Sequence, residues 1–253
     1  MKLSELPQKP PKILLYGAPG SGKTALAMTL GPGTYYLDLD DGLETGRYLE
    51  DPHSEARRGV EVRQFLEYET LKARAFVLLR EHLIEIEKQI KSGTFPYTAV
   101  VLDSLTSLAN GALRYIMGNS GGIGSKVTQA QWGSIINELQ TVITTLRRFP
   151  VPVILIAHQM LVEIDDRNYI KLGVFGKNLP SWIMGSFDEI WYMKVQGGQF
   201  KIQTKPTSVI ETRSRLCLPD GADATQGLPV ILKKIGYEWK GQKDVREKEK
   251  ATA

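Results

Sequence analysis

Eight residues near the start carry the most recognisable chemistry of this chain: Gly17-Ala18-Pro19-Gly20-Ser21-Gly22-Lys23-Thr24, a complete G-x-x-x-x-G-K-[ST] pattern. The glycines let the backbone curl until successive N–H groups point inward, an arrangement that suits a di- or triphosphate. Lys23 adds a point charge for the β and γ oxygens, and the Thr24 hydroxyl suits a Mg2+ ligand. The pattern follows the apolar run Ile13-Leu14-Leu15-Tyr16, and Ala25-Leu26-Ala27-Met28 begins a helix after it. The positive N-terminal end of that helix faces the phosphates. A Gly-rich turn that matches by accident is the plain alternative; a strand before and a helix after weigh against it. All eight residues are therefore expected to bind a nucleotide, with Lys23 also serving catalysis.

A phosphate-binding loop hydrolyses nothing alone. The metal needs an acid at the end of a neighbouring buried strand, and Val100-Val101-Leu102-Asp103-Ser104 supplies one. Asp103 falls at the C-terminal end, where open α/β sheets bind ligands. Thr24 and Asp103 are thus the expected metal ligands, although Asp103 could also simply cap the helix from Leu105. Hydrolysis further needs a group that orients water against the γ-phosphate. Tyr36-Leu37-Asp38-Leu39-Asp40-Asp41-Gly42 offers three carboxylates. Asp38 ends the strand, and Asp40 or Asp41 is better placed to reach the nucleotide; a solvated acidic turn is the bland alternative. The run at 153–157 delivers His158 and Gln159 to the same edge, with Gln159 expected to sense the γ-phosphate and His158 to support it.

These residues need a scaffold. Short apolar runs at 13–16, 34–37, 99–102 and 151–157 are continuous rather than alternating, as in strands buried on both faces of a parallel sheet. Between them, 69–90 shows a helical stripe of Leu71, Ala75, Leu78, His82, Ile86 and Ile90. A second stripe at 132–149 carries Ile135, Ile136, Leu139, Val142, Ile143 and Leu146. Alternating strands and helices predict an α/β fold with right-handed crossovers. Near the C-terminus, 187–193 and 200–204 flank Gln196-Gly197-Gly198-Gln199, a hairpin that should extend the sheet with an antiparallel edge.

The order of P-loop, acidic turn, Val-Val-Leu-Asp-Ser and a strand ending in His-Gln resembles the RecA-type ATPase core over roughly residues 12–216. A typical AAA+ protein would be expected to carry an Asp-Glu pair where this chain has Asp103-Ser104. More specifically, the chain resembles bacteriophage RecA-like single-strand annealing recombinases. Phe187-Asp188-Glu189-Ile190-Trp191 and Arg213-Ser214-Arg215 join the motifs above in suggesting this. The resemblance implies a RecA-like P-loop NTPase: a mainly parallel twisted sheet flanked by helices, with ATP and Mg2+ as cofactors. It implies single-stranded DNA as a partner, a homo-oligomer (ring or filament) and possibly a single-strand-binding protein. Two loops would contact DNA. The first, 117–126, is too glycine-rich for a helix interior and carries Lys126. The second, 163–178, should turn at 166–168, with Lys171 and Lys177 meeting phosphates and Tyr169 or Phe175 stacking a base. Arg213 and Arg215 would reach the nucleotide of a neighbouring subunit as arginine fingers.

Composition sets wide bounds. With 253 residues the chain can bury one large core, and 42% hydrophobic with 24% charged residues is ordinary for a globular protein. No apolar stretch approaches the ~20 residues of a membrane span, and the first residues show no signal-peptide h-region. A single cysteine, Cys217, excludes an internal disulfide; between Leu216 and Leu218 it reads as a buried small hydrophobe, in keeping with a reducing cytoplasm. A net charge of +4 permits a polyanionic partner without demanding one. Residues 1–236 are expected to form the ATPase core and 237–253 a charged, poorly ordered tail. The expected activity is a DNA-stimulated ATPase that promotes strand annealing or pairing. The competing readings are a nucleotide-gated protein-binding switch with little turnover and a helicase- or loader-type motor.

Overall fold

Runs without a polar gap become the centre of a sheet. The computed structural model describes residues 8–67, 73–118, 126–176 and 178–241. Its strands are β1 (Lys12–Gly17), β2 (Thr34–Asp38), β3 (Glu61–Gln64), β4 (Ala99–Asp103), β5 (Val153–Ile164), β6 (Arg167–Leu172), β7 (Glu189–Gln196), β8 (Gln199–Gln203), β9 (Arg213–Ser214) and β10 (Ala222–Asp223). Every residue of β1, β2 and β4 is buried. The order across the sheet is β10-β8-β7-β1-β5-β4-β2-β3, with β6 paired to β5 and β9 to β7. The stretch from β7 to β3 is parallel throughout. Antiparallel pairing is confined to β6, β8, β9 and β10. The expected hairpin thus extends the sheet, turning at Gly197-Gly198 with φ of 58° and 75°, values that glycine adopts without strain.

The helices are α1 (Lys23–Met28), α2 (Glu44–Tyr48), α3 (Ser54–Arg58), α4 (Ala75–Ser92), α5 (Leu105–Gly118), α6 (Gln129–Arg148), α7 (Leu179–Gly185) and α8 (Leu228–Lys234). Alternation along the strands divides the core in two. Leu14, Tyr16, Leu37 and Leu155 pack with Leu79, Leu108, Leu139 and Ile183, from α4, α5, α6 and α7. Ile13, Leu15, Tyr36 and Ile156 pack with Leu26, Leu228 and Ile231, from α1 and α8. The sheet is therefore covered on both faces, as a parallel sheet must be. Thr128 starts α6 with a capping box closed by Gln131. Among the described residues no helix is long and apolar enough to cross a membrane.

Several expectations are corrected. The stripe on α4 is shifted: Ala75, Phe76, Leu79, Leu83 and Ile86 are buried, whereas Leu78 is exposed. Residues 69 and 71 of the expected stripe lie outside the described residues. Cys217 is exposed, because its positive φ of 62° turns the side chain outward while Leu218 fills the core. The hairpin of β5 and β6 turns at Asp165-Asp166, ahead of the 166–168 anticipated. Packing also continues past residue 236. Tyr237 and Trp239 lie against the second core cluster, and the Trp239 indole N–H donates to the Leu30 carbonyl at 3.1 Å.

Candidate nucleotide site

The loop at 17–24 leaves β1 at the middle of the sheet and its shape explains its glycines. A Cβ at Gly17 would sit 2.3 Å from the Met193 carbonyl oxygen, so β7 can pass only a residue without a side chain. Gly20 and Gly22 have φ of 75° and 86°, in the left-handed region. Lys23 is buried and folds over the loop, its Nζ donating to the carbonyls of Gly17 (3.1 Å) and Ala18 (2.8 Å) and to Ser21 Oγ (3.4 Å). Burial pushes its pKa down, and the carboxylates of Asp103 and Asp40 pull against that.

Register then brings the acids to the loop. Thr24 Oγ1 donates to Asp103 Oδ2 at 2.6 Å, and the Tyr36 hydroxyl donates to the same oxygen at 2.5 Å. Burial raises the Asp103 pKa, and the charges of Asp40 and Asp38 add to the rise; the two hydroxyl donors oppose it. The Asp103–Ser104 peptide is cis. Among the described residues no group of three or more His, Cys, Asp or Glu forms a metal cage. One hydroxyl and one carboxylate in contact form an incomplete set of hard oxygens. That is the donor set Mg2+ takes when phosphates and waters supply the rest, so the residues fit that ion.

The three carboxylates after β2 have different fates. Asp38 Oδ1 accepts from the backbone N–H groups of Asp40 and Asp41, both at 3.1 Å, and so builds the turn. Asp40 faces the loop across a cavity of about 660 Å3 that is also lined by Lys23, Thr24, Asp103 and His158. Its Oδ2 meets His158 Nε2 at 2.9 Å, and its Oδ1 accepts from Ser104 Oγ at 3.0 Å and from Ser107 Oγ. Burial would raise the Asp40 pKa, but these hydrogen bonds outweigh it and hold the group below the usual carboxylate range. Asp41, at φ 55°, is exposed and lines a neighbouring cleft with Glu44 and Arg58.

Adjacent residues on a strand point to opposite faces, and this separates His158 from Gln159. His158 lines the cavity, whereas Gln159 turns toward the other face and its Oε1 accepts from the Tyr192 hydroxyl at 2.8 Å. The two arginines also have different fates. Arg213 turns inward, its guanidinium donating to the carbonyls of Met184 (2.8 Å) and Phe187, so it ties β9 to the end of α7 within its own chain. Arg215 is exposed and paired with Asp188 at 2.6 Å.

The expected DNA-contacting groups are mostly engaged. Lys171 pairs with Glu211 and lies 5.6 Å above the Tyr169 ring. Phe175 packs edge-on against Trp132, ring centres 5.2 Å apart. Lys126 is exposed; Lys177 and residues 119–125 lie outside the described residues. Sequence reasoning missed that the cavity is also lined by Leu49, His53 and Arg57 from the α2–α3 segment, and by Phe200 from β8. No local pattern signals these residues, because only the tertiary fold brings them to the loop.

A phosphate-binding loop set in this sheet, with its Thr and a strand-end Asp in contact, defines a P-loop ATPase domain of RecA-like architecture. The family model described as an AAA domain matches residues 9–216, and the chain belongs to that family. It does so without an Asp-Glu pair on β4. At Ser104 the hydroxyl instead holds the carboxylate that β2 delivers. No curated protein matches the sequence. Among solved structures, the chain is similar to a prototypical ATPase from the type III secretion system of pathogenic bacteria, with 12% identity and a TM-score of 0.47. The match covers 73% of this chain and 51% of that one, so the chain spans about half the length of that relative.

Proposed function

We propose that the chain is a Mg2+-dependent ATPase, cleaving ATP to ADP and phosphate, that acts on single-stranded DNA as an oligomer and promotes strand annealing or pairing. The observation that carries the ATPase reading is the Asp40–His158 pair, which faces the contact of Thr24 with Asp103 across one cavity. Bound Mg2+, held by Thr24 and Asp103, would supply charge neutralisation at the β and γ oxygens. Lys23 releases its loop carbonyls and turns its charge to the phosphates. Asp40, saturated with donors, fixes the imidazole; with the proton on Nε2, His158 Nδ1 is left as an acceptor that orients the attacking water. His158 thereby takes the water-orienting role expected of Asp40 or Asp41, with Asp40 as its anchor.

Arg215 supports the oligomeric reading. Its exposed pairing with Asp188 is of the weak surface kind, so it can exchange that partner for the γ-phosphate of a neighbour. Arg213, committed to backbone carbonyls, is withdrawn from that role. The DNA reading is supported by the sequence resemblance and by the path of β5, which runs without a break from His158 into the largely exposed β5–β6 hairpin. The test is binding of a labelled single-stranded oligonucleotide at low salt, with and without ATP, together with annealing of complementary strands by wild type and Lys23→Ala. ATP-dependent binding and annealing are expected. Absence of binding in both conditions rules out the DNA role and leaves the nucleotide site untouched.

A further inference from the structure

The cavity reaches well beyond the phosphate loop. Strand order places β5, β4 and β2 on one side of β1 and β7, β8 and β10 on the other. Asp40, Asp103 and His158 all come from the first side. The second side contributes Met193, Phe200 and, just after β10, Ala224 and Thr225, none of them charged. Phe200 is 36% exposed, a large aromatic left open on a strand. Its ring lies against the loop: a Cβ at Gly22 would sit 3.1 Å from Phe200 Cδ1.

The far wall comes from the α2–α3 segment. His53, the residue preceding α3, places Nε2 2.8 Å from the Thr225 carbonyl oxygen and so bridges the two sides. Gly227 makes room for that ring, since a Cβ there would sit 2.7 Å from His53 Cε1. Arg57 secures the wall to α1: it is nearly fully buried, binds both Asp51 oxygens (2.7 and 2.6 Å) and donates to the Ala25 carbonyl at 3.2 Å.

We propose that this uncharged half of the cavity is a nucleobase subsite completed within a single chain, with Phe200 as the stacking platform and the His53–Thr225 bridge closing its far end. The inference rests on the nucleotide reading and deepens it: it assigns the base to residues that have no role in the site on sequence grounds. A flat aromatic face beside the phosphate loop gives a base its contact area, and stacking is tolerant of base identity. Asp51, already held at both oxygens by Arg57, leaves the wall to act through shape.

Equilibrium binding of ATP and of inorganic tripolyphosphate, each with Mg2+, to the full chain tests this in wild type, Phe200→Ala and Phe200→Tyr. Phe200→Ala should weaken ATP about tenfold or more and leave tripolyphosphate unchanged, while Phe200→Tyr keeps ATP binding close to wild type. His53→Ala, with the same expected split, serves if Phe200→Ala lowers the melting temperature. An equal loss for both ligands, no loss for ATP, or a wild type that binds the two equally well overturns the subsite and leaves the phosphate-loop reading standing. A wild type that binds neither ligand overturns both.

Discussion

Asp40 and His158 act as one unit because each satisfies the other. Asp40 has both oxygens engaged and is held ionised, which makes it a poor base and a firm anchor. Asp40→Asn and His158→Ala should each lower kcat by about 10^2 to 10^4 with KM little changed. The double variant should be no worse than the more severe single one, as steady-state kinetics will report. Asp103 obeys the opposite logic. Its folded pKa lies above its unfolded value, so its favourable contribution is complete below the unfolded pKa and is lost as pH rises through the folded one. At neutral pH the buried charge therefore costs stability. Asp103→Asn should raise the melting temperature of the nucleotide-free protein at pH 7, since the amide oxygen can still accept from Thr24 and Tyr36, and should abolish hydrolysis.

The elements explain both what could be read from the sequence and what could not. The central strands were legible because Ile13-Leu14-Leu15-Tyr16 and Val100-Val101-Leu102 have no polar interruption, which only a doubly covered strand tolerates. Strand β3, Glu61-Val62-Arg63-Gln64, is an exposed edge and carries no such signal. On α4 two stripes with spacings of three and four coexist. The sheet chooses the one containing Phe76, Leu79, Leu83 and Ile86, a choice of phase that periodicity alone does not make. The loop and Asp103 could be found because each sits in a contiguous motif. The preference for His158 over Gln159 depends on which strand face meets the cavity, and that is a property of pairing register. Arg213 on β9 and Arg215 just after it give a prediction at this scale. Arg213→Ala leaves two carbonyls without their donor and should cost about 1–3 kcal/mol in denaturant unfolding. Arg215→Ala, which removes only a surface pair, should cost under about 1 kcal/mol yet reduce hydrolysis at concentrations where copies associate.

At the scale of the whole molecule, the mostly parallel sheet gathers four separate segments at one edge: the loop after β1, the turn after β2, the end of β4 and the middle of β5. Hydrolysis by an assembly whose neighbour supplies Arg215 should rise faster than linearly with protein concentration, and phosphate release measured across a dilution series checks this. Strand β5 runs from His158 at the cavity into the largely exposed β5–β6 hairpin. The most direct measurement is steady-state phosphate release from ATP and Mg2+ by wild type and Lys23→Ala, with and without single-stranded DNA. The site described here predicts release by the wild type, stimulation by DNA, and neither in Lys23→Ala. No release by the wild type under any of these conditions, or undiminished release by Lys23→Ala, would contradict it.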